Sequence, residues 1–368
     1  MMVCHMTDAH SALDDRIYLK ECISLSQAGY DTYLVAKGDS CISRGVHIIG
    51  CGESKGRIDR MLFFSRKVYK RAASLDCDIY HIHDPELLPY ALKLKRKGKK
   101  VIFDSHEDIP AQILDKEWIP SIFRRAVSCG YRLYESYIIK QIDAVIAATP
   151  YIARQFRERT SKIVTVGNYP RLDDIVFHDT PFDERRAVIC YAGGIDDARG
   201  ESIMTKAVKD LDVTLILAGD HKKERRGNIK YLGNIDRDAV NKLYGQAVAG
   251  FVLLRSKANY VNSLPIKMFE YMAAGLPFIA SAFPIWDRIA NTYQCGICVP
   301  IEDQDKIRKA VSYILTNREA AEKMGRNGRK VVEKRYNWNL ESQKLISLYK
   351  SLDSEKDTQE VGNRAKNK

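Results

Sequence analysis

The chain alternates short apolar runs with segments of helical periodicity, and it does so in two successive series. In the first series the apolar runs have the length of buried strands, and they lie at residues 2–6, 31–36, 46–50, 78–82, 100–104, 143–147 and 162–166. Helical patterns separate most of them, at residues 14–28, 57–75, 86–97, 117–140 and 150–158. This alternation predicts a parallel sheet with helices on both faces, because parallel strands require crossover connections.

A second series follows an irregular polar stretch at residues 169–186, which we interpret as an interdomain linker. Its strand-like runs lie at residues 187–192, 213–218, 229–232, 250–254, 277–280 and 296–299. The sequence therefore predicts an α/β protein with two Rossmann-like domains, residues 1–168 and 187–335, and with a ligand cleft between their strand ends. Residues 336–353 are predicted to form an amphipathic helix, and residues 354–368, which lack periodicity, are predicted to be disordered.

Part of the formal net charge of +12 is concentrated in one run, Lys93–Lys100, which holds six basic residues in eight. A second segment, Trp118–Arg125, mixes large apolar and basic side chains in the manner of interfacial helices. We expect these segments to attract an anionic membrane surface; the alternative for the basic run is a solvated helix end. Because no nucleic-acid recognition motif accompanies the charge, no nucleic-acid partner is expected.

The cysteines and the first residues indicate the compartment. Nine cysteines are scattered without the spacing of a disulfide framework, which favours reduced thiols. Residues 1–6 match a first strand and not a signal peptide, and no run of eighteen apolar residues occurs. We therefore expect a cytoplasmic protein that can associate peripherally with the inner face of the cell membrane.

Residues 262–281 combine the features of a ligand-facing helix start with those of a buried strand. Pro265 suits a first helical turn, and Ser263 can cap the free amides before it. Apolar residues at helical spacing predict a buried face, made of Ile266, Phe269, Met272 and Ala273. Lys267 and Glu270 share another face. Amides at such a helix start attract a phosphate, and a glutamate one turn further on can accept hydrogen bonds from sugar hydroxyls.

At these residues the chain resembles the family 4 glycosyltransferases, which are retaining enzymes of the two-domain GT-B fold. Their signature is a glutamate, seven residues, a second glutamate and a Met-Ala-x-Gly-x-Pro run. Glu270 stands at the second glutamate, Ala273–Pro277 matches the run, and Asn262 stands where the first glutamate is expected. The resemblance implies that Glu270 binds the nucleotide ribose and that position 262 contacts the donor sugar.

The segment Gly193–Gly200 has the character of a phosphate-binding loop. It follows a predicted strand and opens a helix; its glycines allow a diphosphate to approach, and Arg199 supplies a permanently charged donor. In many family members this loop carries an arginine and a lysine; here Gly194 and Arg199 stand at those positions, and Lys267 can replace the missing cation. The resemblance assigns further residues to the donor pocket, namely Gly193, Gly219, Leu232, Ser263 and Leu264.

In the first domain, His106 follows the predicted strand 100–104. The resemblance places a histidine here facing the transferred sugar, where its imidazole or carbonyl stabilises positive charge at the anomeric carbon. Residues implied on the acceptor side are Asp15, Arg16, His83 and Glu107. The open alternatives are plain helix-start charges for Asp15 and Arg16 and a helix cap for Glu107.

The resemblance implies transfer of a sugar, from a UDP-sugar by preference, to a hydroxyl of a glycan or lipid-linked glycan. Such a role fits the synthesis of capsule, exopolysaccharide or another cell-surface polysaccharide. Retention of anomeric configuration is expected, with no metal and no cofactor beyond the nucleotide sugar. The residues expected to carry the chemistry are His106, Arg199, Lys267 and Glu270.

Three other functions stay open on the sequence. A nucleotide-sugar epimerase can share the same two-domain architecture. A metal-dependent hydrolase can use imidazoles from His81, His83 and His106, since the first two share one face of a strand. A non-catalytic nucleotide-binding subunit is compatible with Asn262 in place of the first glutamate.

Overall fold

The computed structural model describes residues 1–116, 118–160 and 162–366. The chain divides into two compact units. One unit comprises Met1–Gly167 and the C-terminal segment from Asn339 onward; the other comprises Asn168–Trp338.

Among its described residues, the first unit builds an eight-stranded sheet in the order β3-β4-β2-β1-β5-β6-β7-β8. The strands are β1 (Met2–Ser11), β2 (Asp31–Lys37), β3 (Cys41–Ser43), β4 (Val46–Gly50), β5 (Ile79–Ile82), β6 (Lys100–Ser105), β7 (Ala144–Ala147) and β8 (Ile163–Thr165). All neighbouring strands are parallel except β3, which pairs antiparallel with β4. The strands β5 and β7 are buried at every position, because helices cover both faces of the sheet.

The helical segments of this unit fill the intervals between its strands. They are Asp15–Cys22, Ile23–Gln27, Arg57–Asp59, Arg60–Phe64, Ser65–Ser74, Pro85–Leu87, Leu88–Arg96, Ile109–Asp115, Ser121–Ile139 and Pro150–Phe156. The helix predicted at 117–140 begins only at Ser121, because Pro120 is extended and the residue before a proline disfavours helix. Glu117 and Ser161 lie outside the described residues.

The second unit, which is described throughout, has a seven-stranded sheet in the order β11-β12-β10-β9-β13-β14-β15. Its strands are β9 (Val188–Ala192), β10 (Thr214–Ala218), β11 (Glu224–Arg226), β12 (Ile229–Tyr231), β13 (Ala249–Val252), β14 (Phe278–Ser281) and β15 (Gly296–Val299). Only β11 runs antiparallel to its neighbour. The helical segments are Leu172–Asp174, Glu201–Val208, Arg237–Gln246, Ala258–Val261, Ile266–Ala273, Pro284–Tyr293, Gln304–Thr316 and Arg318–Lys334.

The last helix, Trp338–Lys366, returns the chain to the first unit. Glu341 in its first turn accepts a hydrogen bond of 2.7 Å from the Gly167 amide, and Leu345, Tyr349 and Leu352 are buried. The helix extends past residue 353, where the sequence predicts a disordered tail; residues 367 and 368 lie outside the described residues. Within the described part of the chain, no helix is both long and apolar enough to cross a membrane.

Candidate active site

In the second unit, the loop after β9 begins with two glycines that lie against cationic side chains. A Cβ atom on Gly193 would stand 2.1 Å from Cε and 2.6 Å from Nζ of Lys267. A Cβ atom on Gly194 would stand 2.8 Å from Nη1 of Arg199. Because only glycine leaves this space open, the loop holds two positive charges against its own backbone.

The same loop is tied to the end of the neighbouring strand β10. The amide of Ile195 donates a hydrogen bond of 2.8 Å to Oδ1 of Asp220. Gly219 lies behind the loop, where a Cβ atom would stand only 1.9 Å from the carbonyl oxygen of Gly193. The structure thus brings together five predicted donor residues, Gly193, Gly194, Arg199, Gly219 and Lys267.

Arg199 is oriented by a carboxylate that the sequence reasoning did not single out. Its amide donates to Oδ1 of Asp196 at 2.8 Å, and its guanidinium pairs with the second oxygen of the same side chain. About 44% of the Arg199 side chain is exposed. The guanidinium is therefore positioned by Asp196 and still accessible to an anionic ligand.

The helix Ile266–Ala273 starts differently from the expectation. Pro265 occupies the position before the first helical residue, and the Ser263 hydroxyl donates to the carbonyl of Tyr260 at 2.8 Å. The prediction that Ser263 caps the helix is wrong, since none of the described side chains caps this start. The positive end of the helix dipole is consequently available to an anion.

Glu270 lies one turn further along this helix and is almost fully buried. Its Oε1 accepts from Arg237 Nη1 at 2.9 Å, and its Oε2 accepts from the Tyr244 hydroxyl at 3.1 Å. Burial, together with the Glu270 carboxylate, raises the pKa of Tyr244, so the phenol stays a neutral donor. Each carboxylate oxygen keeps a second lone pair, which a ligand hydroxyl can use.

Sequence reasoning missed Arg237 and Tyr244 as partners of this carboxylate. Both lie on the helix Arg237–Gln246, which Asp236 caps through a 2.8 Å bond to the Ala239 amide. The other predicted donor residues are partly buried in the same unit, namely Leu232, Asn262 and Leu264.

In the first unit, a polar cavity of about 270 Å³ lies at the carboxyl ends of β5 and β6. His106, Glu107 and His83, which the sequence predicts for the catalytic and acceptor sites, all line it. The His106 ring meets the His10 ring edge-on at 5.3 Å between centroids, and Glu107 accepts a 2.6 Å bond from the Gln112 side chain. This arrangement supplies an imidazole and several carboxylates within one concave surface.

Asp84 organises the β1 end of this cavity. Its Oδ2 accepts from the Thr7 hydroxyl at 2.6 Å and from the amides of Asp8 and Ala9 at 2.8 and 3.1 Å. His10 approaches the second oxygen with its Nε2 at 3.5 Å. The strand β1 therefore continues past the predicted end at residue 6, and it carries His10 into the cavity.

Arg16 and Asp15, which the resemblance implies for the acceptor side, do not line the cavity. Arg16 is buried and holds Asp104 through two bonds, Nε to Oδ2 at 2.8 Å and Nη2 to Oδ1 at 2.9 Å. Asp15 accepts from Lys20 Nζ at 2.6 Å. Although burial opposes it, the Arg16 guanidinium holds the pKa of Asp104 well below its usual range. Arg16 therefore acts on the cavity indirectly, because it holds Asp104, which lines the cavity.

The hydrolase alternative required His81, His83 and His106 to converge, and the structure does not bring these three together. His81 is fully buried and does not line the cavity. Among the described residues, the side chains close enough to share a metal ion are His5, Glu21, His81 and His83. The structure therefore does not form, at His106, the metal site that the hydrolase alternative requires.

Two family models match the chain in succession. The model described as Glycosyltransferase Family 4 matches residues 20–169, and the one described as Glycosyl transferases group 1 matches residues 173–331. Together they cover most of the chain. The chain belongs to the family 4, group 1 glycosyltransferases, and it is a transferase enzyme.

Curated relatives agree with this assignment over most of their length. A phosphatidyl-myo-inositol mannosyltransferase of Mycolicibacterium smegmatis is 23% identical over 358 residues, covering 89% of this chain and 87% of the relative. The D-rhamnosyltransferase WbpZ of Pseudomonas aeruginosa is 22% identical, and the match covers 85% of each chain.

Solved structures show the fold. Sucrose-phosphate synthase from Thermosynechococcus elongatus superposes with a TM-score of 0.77 at 18% identity, covering 96% of this chain and 99% of the other. Anabaena HepE in complex with UDP-glucose superposes with a TM-score of 0.70 at 12% identity, covering 95% and 100%. The predicted two-domain GT-B fold is thereby confirmed.

Proposed function

We propose that this enzyme transfers a sugar from a nucleotide sugar to a hydroxyl of a glycan or lipid-linked glycan, with retention of anomeric configuration. The observation that carries the proposal is the placement of Lys267 and Arg199 against the Gly193–Gly194 backbone, with Glu270 on the same helix as Lys267. Two cations over a glycine loop suit a diphosphate, and a buried carboxylate one helical turn away suits the ribose of the same nucleotide.

In the reaction we propose, the main task of the protein is to stabilise the nucleoside diphosphate as it leaves. Negative charge develops on the leaving diphosphate, and Lys267, Arg199 and the uncapped start of Ile266–Ala273 stabilise it. The acceptor hydroxyl attacks from the face that the diphosphate leaves, so the configuration is retained. The family resemblance makes His106 our candidate for stabilising the positive charge that develops at the anomeric carbon. Such a route needs no catalytic metal and no further cofactor.

UDP is our preferred donor nucleotide. Anabaena HepE is described in complex with UDP, with UDP and glucose, and with UDP-glucose. The names of the curated relatives specify transfer of mannose and of rhamnose. The assay determines which sugar this enzyme transfers. We propose an acceptor in capsule, exopolysaccharide or related cell-surface polysaccharide synthesis, reached from the cytoplasm.

The test is a donor screen with purified protein, first by calorimetry with UDP, GDP and ADP, with and without EDTA. We expect one nucleotide to bind selectively and equally well in EDTA, because side chains replace the metal. Radiolabelled nucleotide sugars of the nucleotide that binds are then incubated with a cell lipid extract and the enzyme. The anomeric configuration of the product is determined by NMR. Failure of all three nucleotides to bind would contradict the donor site. Release of free or epimerised sugar without an acceptor would indicate the epimerase.

We also propose that a lipid-linked acceptor is reached from an anionic membrane surface. In the first unit, two neighbouring segments expose large apolar side chains, which are Ile58, Met61, Leu62, Phe63, Trp118, Ile122, Phe123 and Val127. The Arg57 guanidinium lies 5.0 Å from the centre of the Trp118 ring, so the two segments touch. We call these eight residues the apolar patch. Exposed aromatic and aliphatic side chains beside basic ones are typical of interfacial binding.

The basic run Lys93–Lys100 contributes less to this proposal than the sequence suggests. Lys95 and Lys100 pair with Asp143 at 2.7 and 3.6 Å, and Lys99 pairs with Asp76 at 2.8 Å. Three of its six basic side chains are therefore paired with carboxylates within the unit. The apolar patch, with Arg57 and Lys116 beside Trp118, is the stronger candidate for membrane contact.

Replacing both Phe63 and Ile122 with aspartate is expected to weaken binding to phosphatidylglycerol vesicles by about 10-fold or more. Each apolar side chain that becomes buried in the membrane contributes roughly 1.5–3 kcal/mol to binding. Vesicle co-sedimentation measures the effect, with phosphatidylcholine vesicles as the uncharged comparison. Ile42→Asp is the matched control, because Ile42 is equally exposed on the edge strand β3. Equal binding by the double variant and the control would contradict the membrane proposal.

A further inference from the structure

Beneath the first-unit cavity, three histidines and a glutamate meet in the core. The parallel register of β1 and β5 sets His5 directly beside His81. His83 lies two residues further along and shares the face of His81. Glu21 reaches the same point from the helix Asp15–Cys22. All four side chains are buried, with at most 1% of any of them exposed.

Four atoms of this cluster form a compact set. Oε2 of Glu21 lies 3.9 Å from His5 Nδ1, 3.7 Å from His81 Nδ1 and 3.9 Å from His83 Nε2. The two imidazole nitrogens of His5 and His83 are 2.9 Å apart. A tetrahedral zinc site with bonds of about 2.0–2.1 Å has ligand atoms roughly 3.3–3.4 Å from one another. The four ligand atoms here all lie within 4.8 Å of one another, so the set would contract by a small amount around an ion.

The cluster leaves buried polar atoms without hydrogen bonds. Three buried atoms of the cluster have no hydrogen-bond partner among the described residues. They are both carboxylate oxygens of Glu21 and the Nε2 atom of His81. The nearest cation to Glu21 is Arg16 Nε at 3.2 Å, but that nitrogen already donates to Asp104. Buried polar groups are nearly always bonded, and a cation between these side chains would bond them.

Polar contacts with neighbouring side chains orient two of the imidazoles in the way that a metal site requires. His83 Nδ1 lies 3.2 Å from Oδ2 of Asp104, and His5 Nε2 lies 3.3 Å from the Tyr349 hydroxyl. Metal-bound histidines usually bond outward through the second ring nitrogen in this way. The inward atoms, His83 Nε2 and His5 Nδ1, lie within hydrogen-bond distance of each other, and an ion would replace that contact.

We propose that His5, Glu21, His81 and His83 bind one Zn²⁺ ion, His5 through Nδ1, Glu21 through Oε2, His83 through Nε2 and His81 through one of its ring nitrogens. Four protein ligands close the coordination sphere, which marks the site as structural and leaves no open position for a substrate. The ion would join β1, β5 and the helix Asp15–Cys22. Through the Tyr349 hydroxyl, which lies 3.3 Å from His5 Nε2, it would also fix the C-terminal helix against the first-unit sheet.

The site is independent of the donor site, and it meets the first-unit cavity only at His83. Because it is closed and buried, EDTA at ordinary concentrations should remove the ion slowly, and sugar transfer assayed over minutes should be insensitive to the chelator. Metal content, and not activity, is therefore the measurement that tests the proposal.

The experiment uses the full chain without an affinity tag, produced in zinc-supplemented medium and purified without chelating resin. Elemental analysis by mass spectrometry is expected to find about one zinc per chain, and X-ray absorption is expected to find nitrogen and oxygen neighbours at roughly 2.0–2.1 Å. Less than about one tenth of an equivalent of any first-row divalent metal would overturn the proposal. So would a zinc ion whose coordination shell lacks imidazole.

Variants assign the ligands. Glu21→Gln and His81→Gln should each lose most of the metal, whereas His47→Gln, a half-exposed histidine on β4, should keep it. Retention of one zinc by both core variants would overturn the ligand assignment. If neither core variant folds, the wild-type stoichiometry and absorption spectrum still decide the question.

Discussion

Replacing Lys267 with alanine is expected to lower kcat for sugar transfer by about 100- to 1000-fold, the range seen when one preorganised donor to a developing charge is removed. Lys267 lies against Gly193, and its ammonium is 5.7 Å from the centre of the Tyr191 ring. The diphosphate is more negative as it departs than in the intact donor, so the loss falls mainly on kcat and less on KM. Steady-state kinetics with saturating acceptor provide both constants.

Two further variants make this result interpretable. Gly193→Ala keeps the lysine but places a Cβ atom where the Lys267 side chain lies, so it should lower kcat in the same direction. Lys323→Ala removes an exposed lysine from the helix Arg318–Lys334 and should leave kcat unchanged. A Lys267→Ala enzyme within about threefold of wild type would contradict the role of this side chain in leaving-group stabilisation.

Replacing Glu270 is expected to weaken nucleotide binding by about 100-fold, because hydrogen bonds to a charged group contribute roughly 1.5–3 kcal/mol each. The structure holds this carboxylate in place through Arg237 and Tyr244, so its remaining lone pairs are preorganised for ribose hydroxyls. Glu270→Gln keeps the shape and removes the charge, whereas Glu270→Ala removes both. Calorimetric titration with the nucleotide selected by the donor screen measures the dissociation constants.

The controls separate loss of the ligand contact from loss of the fold. Tyr244→Phe removes one support of the carboxylate but keeps the charge, so it should weaken binding less than Glu270→Gln. Glu302→Gln, an exposed glutamate elsewhere in the second unit, should bind as the wild type does. Thermal unfolding of each variant shows whether the fold persists. Nucleotide binding by Glu270→Ala at wild-type strength would remove this residue from the donor site.

Much of the donor half-site was predictable from sequence because its elements are local. The strand Val188–Ala192, the glycines after it and the helix Ile266–Ala273 appear close to where periodicity and turn residues indicate them. The two antiparallel edge strands, β3 and β11, were not predicted, because they are short, mostly exposed and without an apolar run. Ser263 fits the pattern of a capping residue, but its hydroxyl turns back to Tyr260.

The first-unit residues show the limit of local reasoning most clearly. Arg16 looks like a helix-start charge next to Asp15, yet it pairs with Asp104, which is 88 positions away in the chain. The predicted acceptor residues therefore divided, with His83 and Glu107 at the cavity and Arg16 behind its wall. A long-range ion pair depends on which strands are neighbours, and that is not encoded in the spacing of either residue.

The sequence by itself determined the two α/β series, the glycine loop and the helix that carries Lys267 and Glu270, because hydrophobic period and turn chemistry act over a few residues. Only the tertiary structure decided which charges meet. The parallel register of β1 and β5 sets His5 beside His81, and the return of the C-terminal helix brings Tyr349 to both. The physical reason is that side-chain chemistry in a core depends on contacts between distant segments, which form only when the sheet order is fixed.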